Sequence, residues 1–92
     1  METQLLDLPE VETKVPTGTH KLILHNDDFN TLDWVMGCLR DVCKHSPTQA
    51  EQCTMIVHNN GWCVVKVSDE ETLNKMKTEL LIRQLSVTLE TN

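Results

Sequence analysis

The 92-residue sequence lacks three features that would each indicate a particular class of protein. Its four cysteines, at positions 38, 43, 53 and 63, form no Cys-x-x-Cys pair, which argues against a zinc knuckle. No apolar run approaches ~18 residues, so we expect no membrane span. The chain begins without a basic segment followed by an apolar one, and therefore shows no secretory signal peptide.

Positive charge is also scarce, with eight Lys and Arg against fourteen Asp and Glu and a formal net charge of −6. Nucleic acids and anionic membranes are both bound by basic surfaces, so the charge argues against either as a partner. A cationic ligand or a basic protein surface fits better. The cysteines fall on or beside apolar positions, where a free thiol behaves as a small hydrophobe. We interpret all four as reduced, structural residues of a cytoplasmic protein.

The length favours a single domain, preceded by an extension. Residues 1–19 contain four acids and one base, and no helical period continues from their leucines. We expect these 19 residues to form a flexible acidic extension. The folded domain should then span residues 20–92 and act as a monomer.

Within that domain, apolar spacing predicts the order β-α-α-β-α-β. Alternating or β-branched runs indicate strands over 21–25, 62–67 and 85–89. A first helix should follow a cap at Asn30 or Thr31 and reach about residue 44. A second should start at the capping box Ser46–Gln49 and end near His58, and a third should follow the capping box Ser68–Glu71. Because helices and strands do not alternate strictly, we expect an α+β fold with three helices packed on a three-stranded, mostly antiparallel sheet.

The most informative stretch is the first strand, which runs without a break into Asn26, Asp27 and Asp28. Carbonyl and carboxylate oxygens gathered at one rim suit a cationic donor. A primary ammonium has three N–H donors, which the oxygens of Asn26 and Asp27 and the imidazole lone pair of His58 would satisfy. A chain's α-amine is such a group and is mostly charged at neutral pH, since its pKa is ~7.7–8.0.

Other interpretations of these residues stay open at this point. Asn-Asp-Asp before a helix is often a capped loop, and a histidine in the last turn of a helix often stabilises that helix through the dipole. A metal site built from Asp27, Asp28 and His58 has weak support, and a nucleophilic Cys–His pair has less. We therefore expect no catalysis, no metal and no cofactor. The alternative to ligand binding is a structural module that only docks other proteins.

Three motifs together resemble the ClpS family, the adaptors of the N-degron (N-end rule) pathway. They are Lys21-Leu-Ile-Leu-His-Asn-Asp-Asp-Phe, the pair Val57-His58 with Gly61 shortly after, and the ending Val87-Thr88-Leu89-Glu90. The resemblance covers about residues 20–90. It implies a non-enzymatic adaptor that binds proteins beginning with Leu, Phe, Tyr or Trp and delivers them to a ClpA- or ClpC-type AAA+ unfoldase paired with ClpP.

Carried over by position, the resemblance assigns Asn26, Asp27 and His58 to the α-amine. It assigns a side-chain pocket to Asn30, Leu32, Thr54, Val57 and Leu85, with Asn30 at its mouth. Glu71 matches a position that contacts the N-terminal domain of the ATPase. Thr54 stands where many members have a bulky Met that gates the pocket, and a smaller polar residue there would widen it.

Overall fold

The computed structural model describes residues 19–91, which form three helices and one sheet. The elements are β1 (His20–His25), α1 (Leu32–Val42), α2 (Pro47–Asn60), β2 (Trp62–Ser68), α3 (Glu70–Ile82) and β3 (Ser86–Thr91). The sheet has the strand order β2-β1-β3, and both pairs are antiparallel. The predicted fold class and element order are confirmed. Apart from Thr19, the extension expected over residues 1–19 lies outside the described residues.

The core lies between the helices and one face of the sheet. Leu22 and Leu24 of the central strand are 0% and 1% exposed and belong to this core, whereas Ile23 between them faces the opposite side. Burying each such leucine contributes roughly 1.5–3 kcal/mol. The helices add the apolar stripes that their spacing predicts. Their buried members are Val35, Cys38 and Leu39 of α1, Ala50 and Val57 of α2, and Leu73 and Leu80 of α3.

An irregularity in β2 fastens the sheet to the loop between α1 and α2. The pairing with β1 shifts so that Lys66 lies opposite Leu22 and Val64 opposite Ile23, which leaves Val65 as an extra residue. The Val65 carbonyl is 2.8 Å from Nε2 of buried His45. A carbonyl only accepts, so Nε2 donates this hydrogen bond. The bulge therefore exposes a backbone acceptor that His45 satisfies.

The helix ends match the sequence signals at some positions and differ by one or two residues at others. Thr31 and Ser46 cap α1 and α2 as predicted, by accepting from the N–H groups of Trp34 and Gln49. For α3 the predicted cap at Ser68 is wrong. The cap is Asp69, whose carboxylate accepts from the Thr72 N–H at 2.9 Å and offers a charged acceptor one residue later.

The third strand begins one residue later than its alternating pattern suggests. Leu85 lies before β3, and its N–H donates to the Leu80 carbonyl at 3.0 Å, so it closes the last turn after α3. None of the helices in residues 19–91 is both long and apolar enough to cross a bilayer.

Candidate functional site

The end of β1 and the end of α2 are joined by a backbone hydrogen bond. The Asn26 N–H donates to the Gly61 carbonyl at 2.9 Å. Gly61 has φ +100°, and its own N–H donates to the Val57 carbonyl at 2.8 Å, which terminates α2. These bonds place the loop that follows β1 beside the last turn of α2, which carries His58.

Asp27 organises the loop between β1 and α1. Its Oδ1 accepts from the N–H groups of Phe29 and Asn30, both at 2.8 Å, and its Oδ2 accepts from Asn30 Nδ2 at 3.0 Å. Partial burial raises the pKa of Asp27, but the hydrogen bonds from Asn30 and Phe29 outweigh it and lower the pKa overall. The carboxylate is therefore ionised at neutral pH, and Oδ2 keeps a lone pair for another donor.

Two side chains at the start of α1 tie this loop to the turn between α3 and β3. Asn30 Nδ2 also donates to the Gln84 carbonyl at 2.9 Å, and Trp34 Nε1 donates to the Arg83 carbonyl at 3.1 Å. Gln84 adopts a positive φ of 72° within this turn. Both N–H donors of the Asn30 amide are thereby occupied, and the loop is held at both of its ends.

A cavity of about 300 Å³ opens between the loop, α1 and α2. Polar groups of Asn26, Asp27, Asp28 and His58 form one part of its lining, and apolar side chains of Leu24, Leu32, Val35 and Val57 form another, with Thr54, His25, Asn30 and Thr31 completing it. None of the lysines or arginines within residues 19–91 lines it. The cavity therefore combines an acceptor-rich, anionic rim with an adjoining apolar hollow.

The structure brings together every residue that the sequence analysis assigned to the α-amine and to the side-chain pocket, except Leu85. Leu85 is 3% exposed and packs in the core, because the turn after α3 directs it there. Leu24, His25 and Thr31 also line the cavity, and the sequence analysis did not assign them to it. The alternation of β1 could have identified Leu24, the last strand residue that faces the helices.

Glu71 lies elsewhere, in the exposed first turn of α3. It pairs with Lys75 at 3.9 Å, and both side chains are largely exposed. A surface pair of this kind stabilises the fold by at most about 1 kcal/mol. Glu71 also lines a shallow depression with Glu70, Asn74, Lys75 and Thr78, so it belongs to a surface separate from the cavity.

Metal-binding and thiol chemistry have little support in the described residues. Within 19–91 no group of three or more His, Cys, Asp or Glu side chains is placed to hold a metal ion. All four cysteines are free, and burial raises the pKa of Cys43 and of Cys63 to about 11. These two thiols are therefore protonated at neutral pH, and a thiol in that form is a poor nucleophile.

Comparison with known proteins gives a consistent result. A family model described as the ATP-dependent Clp protease adaptor protein ClpS matches residues 16–88. The ClpS adapter of Desulfatibacillum aliphaticivorans is 36% identical over 70 residues, which cover 71% of this chain and 67% of that protein. The ClpS adapter of Gloeobacter violaceus is 34% identical over 68 residues, covering 73% and 72%.

Among solved structures, Agrobacterium tumefaciens ClpS2 bound to L-phenylalaninamide superposes with a TM-score of 0.76. The match covers 84% of this chain and all of that one, at 24% sequence identity. At this level of identity the superposition establishes a common fold.

Proposed function

This chain belongs to the ClpS family of ATP-dependent Clp protease adaptors, and from that premise we propose that its cavity binds the free N-terminus of proteins that begin with Leu, Phe, Tyr or Trp. The bound protein would then be delivered to a ClpA- or ClpC-type AAA+ unfoldase and its ClpP protease. The observation that carries the proposal is a cavity in which hydrogen-bond acceptors adjoin an apolar hollow.

The rim has the acceptors that an α-ammonium requires. Within residues 19–91 the side chains of Asn26 and His58 make no hydrogen bond, and Asp27 Oδ2 accepts only one. An amide oxygen, an imidazole lone pair and a carboxylate oxygen would each accept one of the three N–H donors. Each charge-assisted bond is worth roughly 1.5–3 kcal/mol.

The hollow beside the rim suits the first side chain of such a protein. Leu32 is 37% exposed and stands at the surface, while Val35 and Val57 are buried behind it. Burial of a Leu or Phe side chain there would contribute roughly 1.5–3 kcal/mol. Together with the bonds to the α-amine, and less the costs of association, this supports micromolar affinity.

The ligand of a protein with the same fold supports the same chemistry. L-phenylalaninamide, bound to Agrobacterium tumefaciens ClpS2, combines a free α-amine with an apolar aromatic side chain. Those are the two features that the rim and the hollow of this cavity would recognise.

Binding of labelled peptides tests the proposal directly. A peptide that begins with Leu or Phe should bind, whereas its N-acetylated form and a form with Met added in front should not. Asn26→Ala and His58→Ala should each weaken binding by about 10-fold or more, since each removes one charge-assisted bond. Asn74→Ala, an exposed change on α3, serves as the matched control and should have no effect. Equal affinity for all three peptides would refute the proposal.

We further propose that Glu71 contacts the N-terminal domain of the unfoldase, with the adaptor acting as a cytoplasmic monomer. Its exposure and its separation from the cavity would allow substrate and unfoldase to be held at the same time. Glu71→Lys should abolish capture by the unfoldase and leave peptide affinity unchanged. Loss of both activities, or of neither, would contradict this assignment.

A further inference from the structure

One buried polar atom of the cavity lining has no hydrogen-bond partner. Thr54 lies in α2 and is 2% exposed, and its hydroxyl Oγ1 bonds to no atom. Nearly all buried polar groups in proteins are hydrogen-bonded, and an unpaired one is destabilising. An unpaired hydroxyl in the wall of a binding cavity therefore indicates a group that a ligand would satisfy.

The position of Thr54 within the cavity supports this interpretation. Thr54 lines the cavity and, after Leu24 at 1% exposed, is the most deeply buried of its lining residues. The other unpaired buried side-chain atom within residues 19–91 is Nδ1 of His45, which does not line the cavity. Among the described lining residues, Thr54 thus carries the one unpaired buried side-chain atom, and that oxygen is shielded from solvent in this structure.

We propose that the Thr54 hydroxyl makes the hollow favour a first residue with a hydrogen-bonding group on its ring, tyrosine or tryptophan, over phenylalanine or leucine. This rests on the proposed function, because the ring reaches Thr54 only when the α-amine is held at the rim. A hydroxyl offers one donor and two lone pairs, so it accepts from a phenol O–H or an indole N–H. Helical threonine populates two χ1 rotamers, and a bound ring would have to select the one that turns the shielded hydroxyl toward it.

Tyrosine and phenylalanine form the matched pair of ligands, since they differ by one oxygen. The measurement is the affinity of peptides that are identical except for Tyr or Phe at the first position. Wild type should bind the Tyr peptide about 3–10-fold more tightly, which is the range expected of one net hydrogen bond. Thr54→Val keeps the shape and removes the hydroxyl, so it should erase the preference, and Thr54→Ser should retain it. The same Tyr-to-Phe ratio in wild type and Thr54→Val would overturn the inference.

A second measurement uses wild type alone and so does not depend on the folding of a variant. A peptide that begins with 4-methylphenylalanine has the bulk of tyrosine without its hydroxyl. It should bind as weakly as the Phe peptide. If it bound as tightly as the Tyr peptide, the size of the ring substituent, and not its hydroxyl, would account for the preference for Tyr.

The outcomes also separate this inference from the function on which it rests. If no peptide with a free amine binds better than its acetylated form, both fail. If Tyr and Phe peptides bind through their amines with equal affinity in wild type and Thr54→Val, the adaptor function stands and only the role of Thr54 fails.

Discussion

Replacing Thr54 by Val should stabilise the protein, although the position lies within the proposed binding cavity. Thr54 is 2% exposed, and its hydroxyl loses its hydrogen bonds to water on folding without gaining one within the protein. Leaving such a group unsatisfied costs about 1–3 kcal/mol, and valine fills a similar volume with a methyl group instead. Even at the lower limit, the melting temperature of a domain of this size should rise by about 4–8 °C.

Thermal unfolding followed by circular dichroism measures this change in the free protein. Thr78→Val is the matched control, because Thr78 is exposed on α3 and the same replacement there should stay within about 0.5 kcal/mol. An unchanged or lower melting temperature for Thr54→Val would show that the hydroxyl is hydrogen-bonded in solution. That result would remove the basis for its proposed role in selectivity.

Three further predictions concern pH and the backbone. Gly61→Ala should lower the free energy of unfolding, measured in urea, by about 1–2 kcal/mol, because φ is +100° at this position. An added Cβ meets no atom within 4 Å, so the loss would come from the backbone alone. An unchanged free energy of unfolding would contradict the cap geometry. Gly37→Ala lies within α1, where an added Cβ also meets no atom, and it should instead raise the free energy of unfolding by about 0.5–1 kcal/mol. Hydrogen bonds from the backbone N–H and the hydroxyl of Thr72 lower the pKa of Asp69 to about 2 from 3.8, so its stabilising contribution is complete above about pH 4 and is lost as the pH falls to about 2. The difference in melting temperature between wild type and Asp69→Asn should shrink over that interval, and a constant difference would be evidence against this linkage.

The order and type of the elements could be predicted from the sequence because each has a strong local signal. Apolar spacing defines α1, and Pro47 with Ser46 defines the start of α2. The cap of α3 was harder to place, since Ser68 and Asp69 are both good caps and only the backbone geometry decides between them. Errors of one or two residues at helix ends are the expected result of such competition.

The site was predictable in composition but not in geometry. The sequence around Asp27 is typical both of a residue that caps a loop and of one that faces a ligand. In the structure, three of its hydrogen bonds hold the loop, while it also lines the cavity. The burial of Leu85 and the unpaired hydroxyl of Thr54 depend on how α3 and α2 pack, and that information is not present in any local pattern.

The location of β1 between β2 and β3 predicts how destabilising substitutions would affect this protein. Its amide protons exchange with solvent only when the sheet opens, and as the central strand it should be among the last segments to open. Substitutions far from the cavity should then leave the dissociation constant of the folded molecules unchanged and reduce only their number. A cell that produces such a variant would contain fewer folded copies, and each copy would have the selectivity of the wild type.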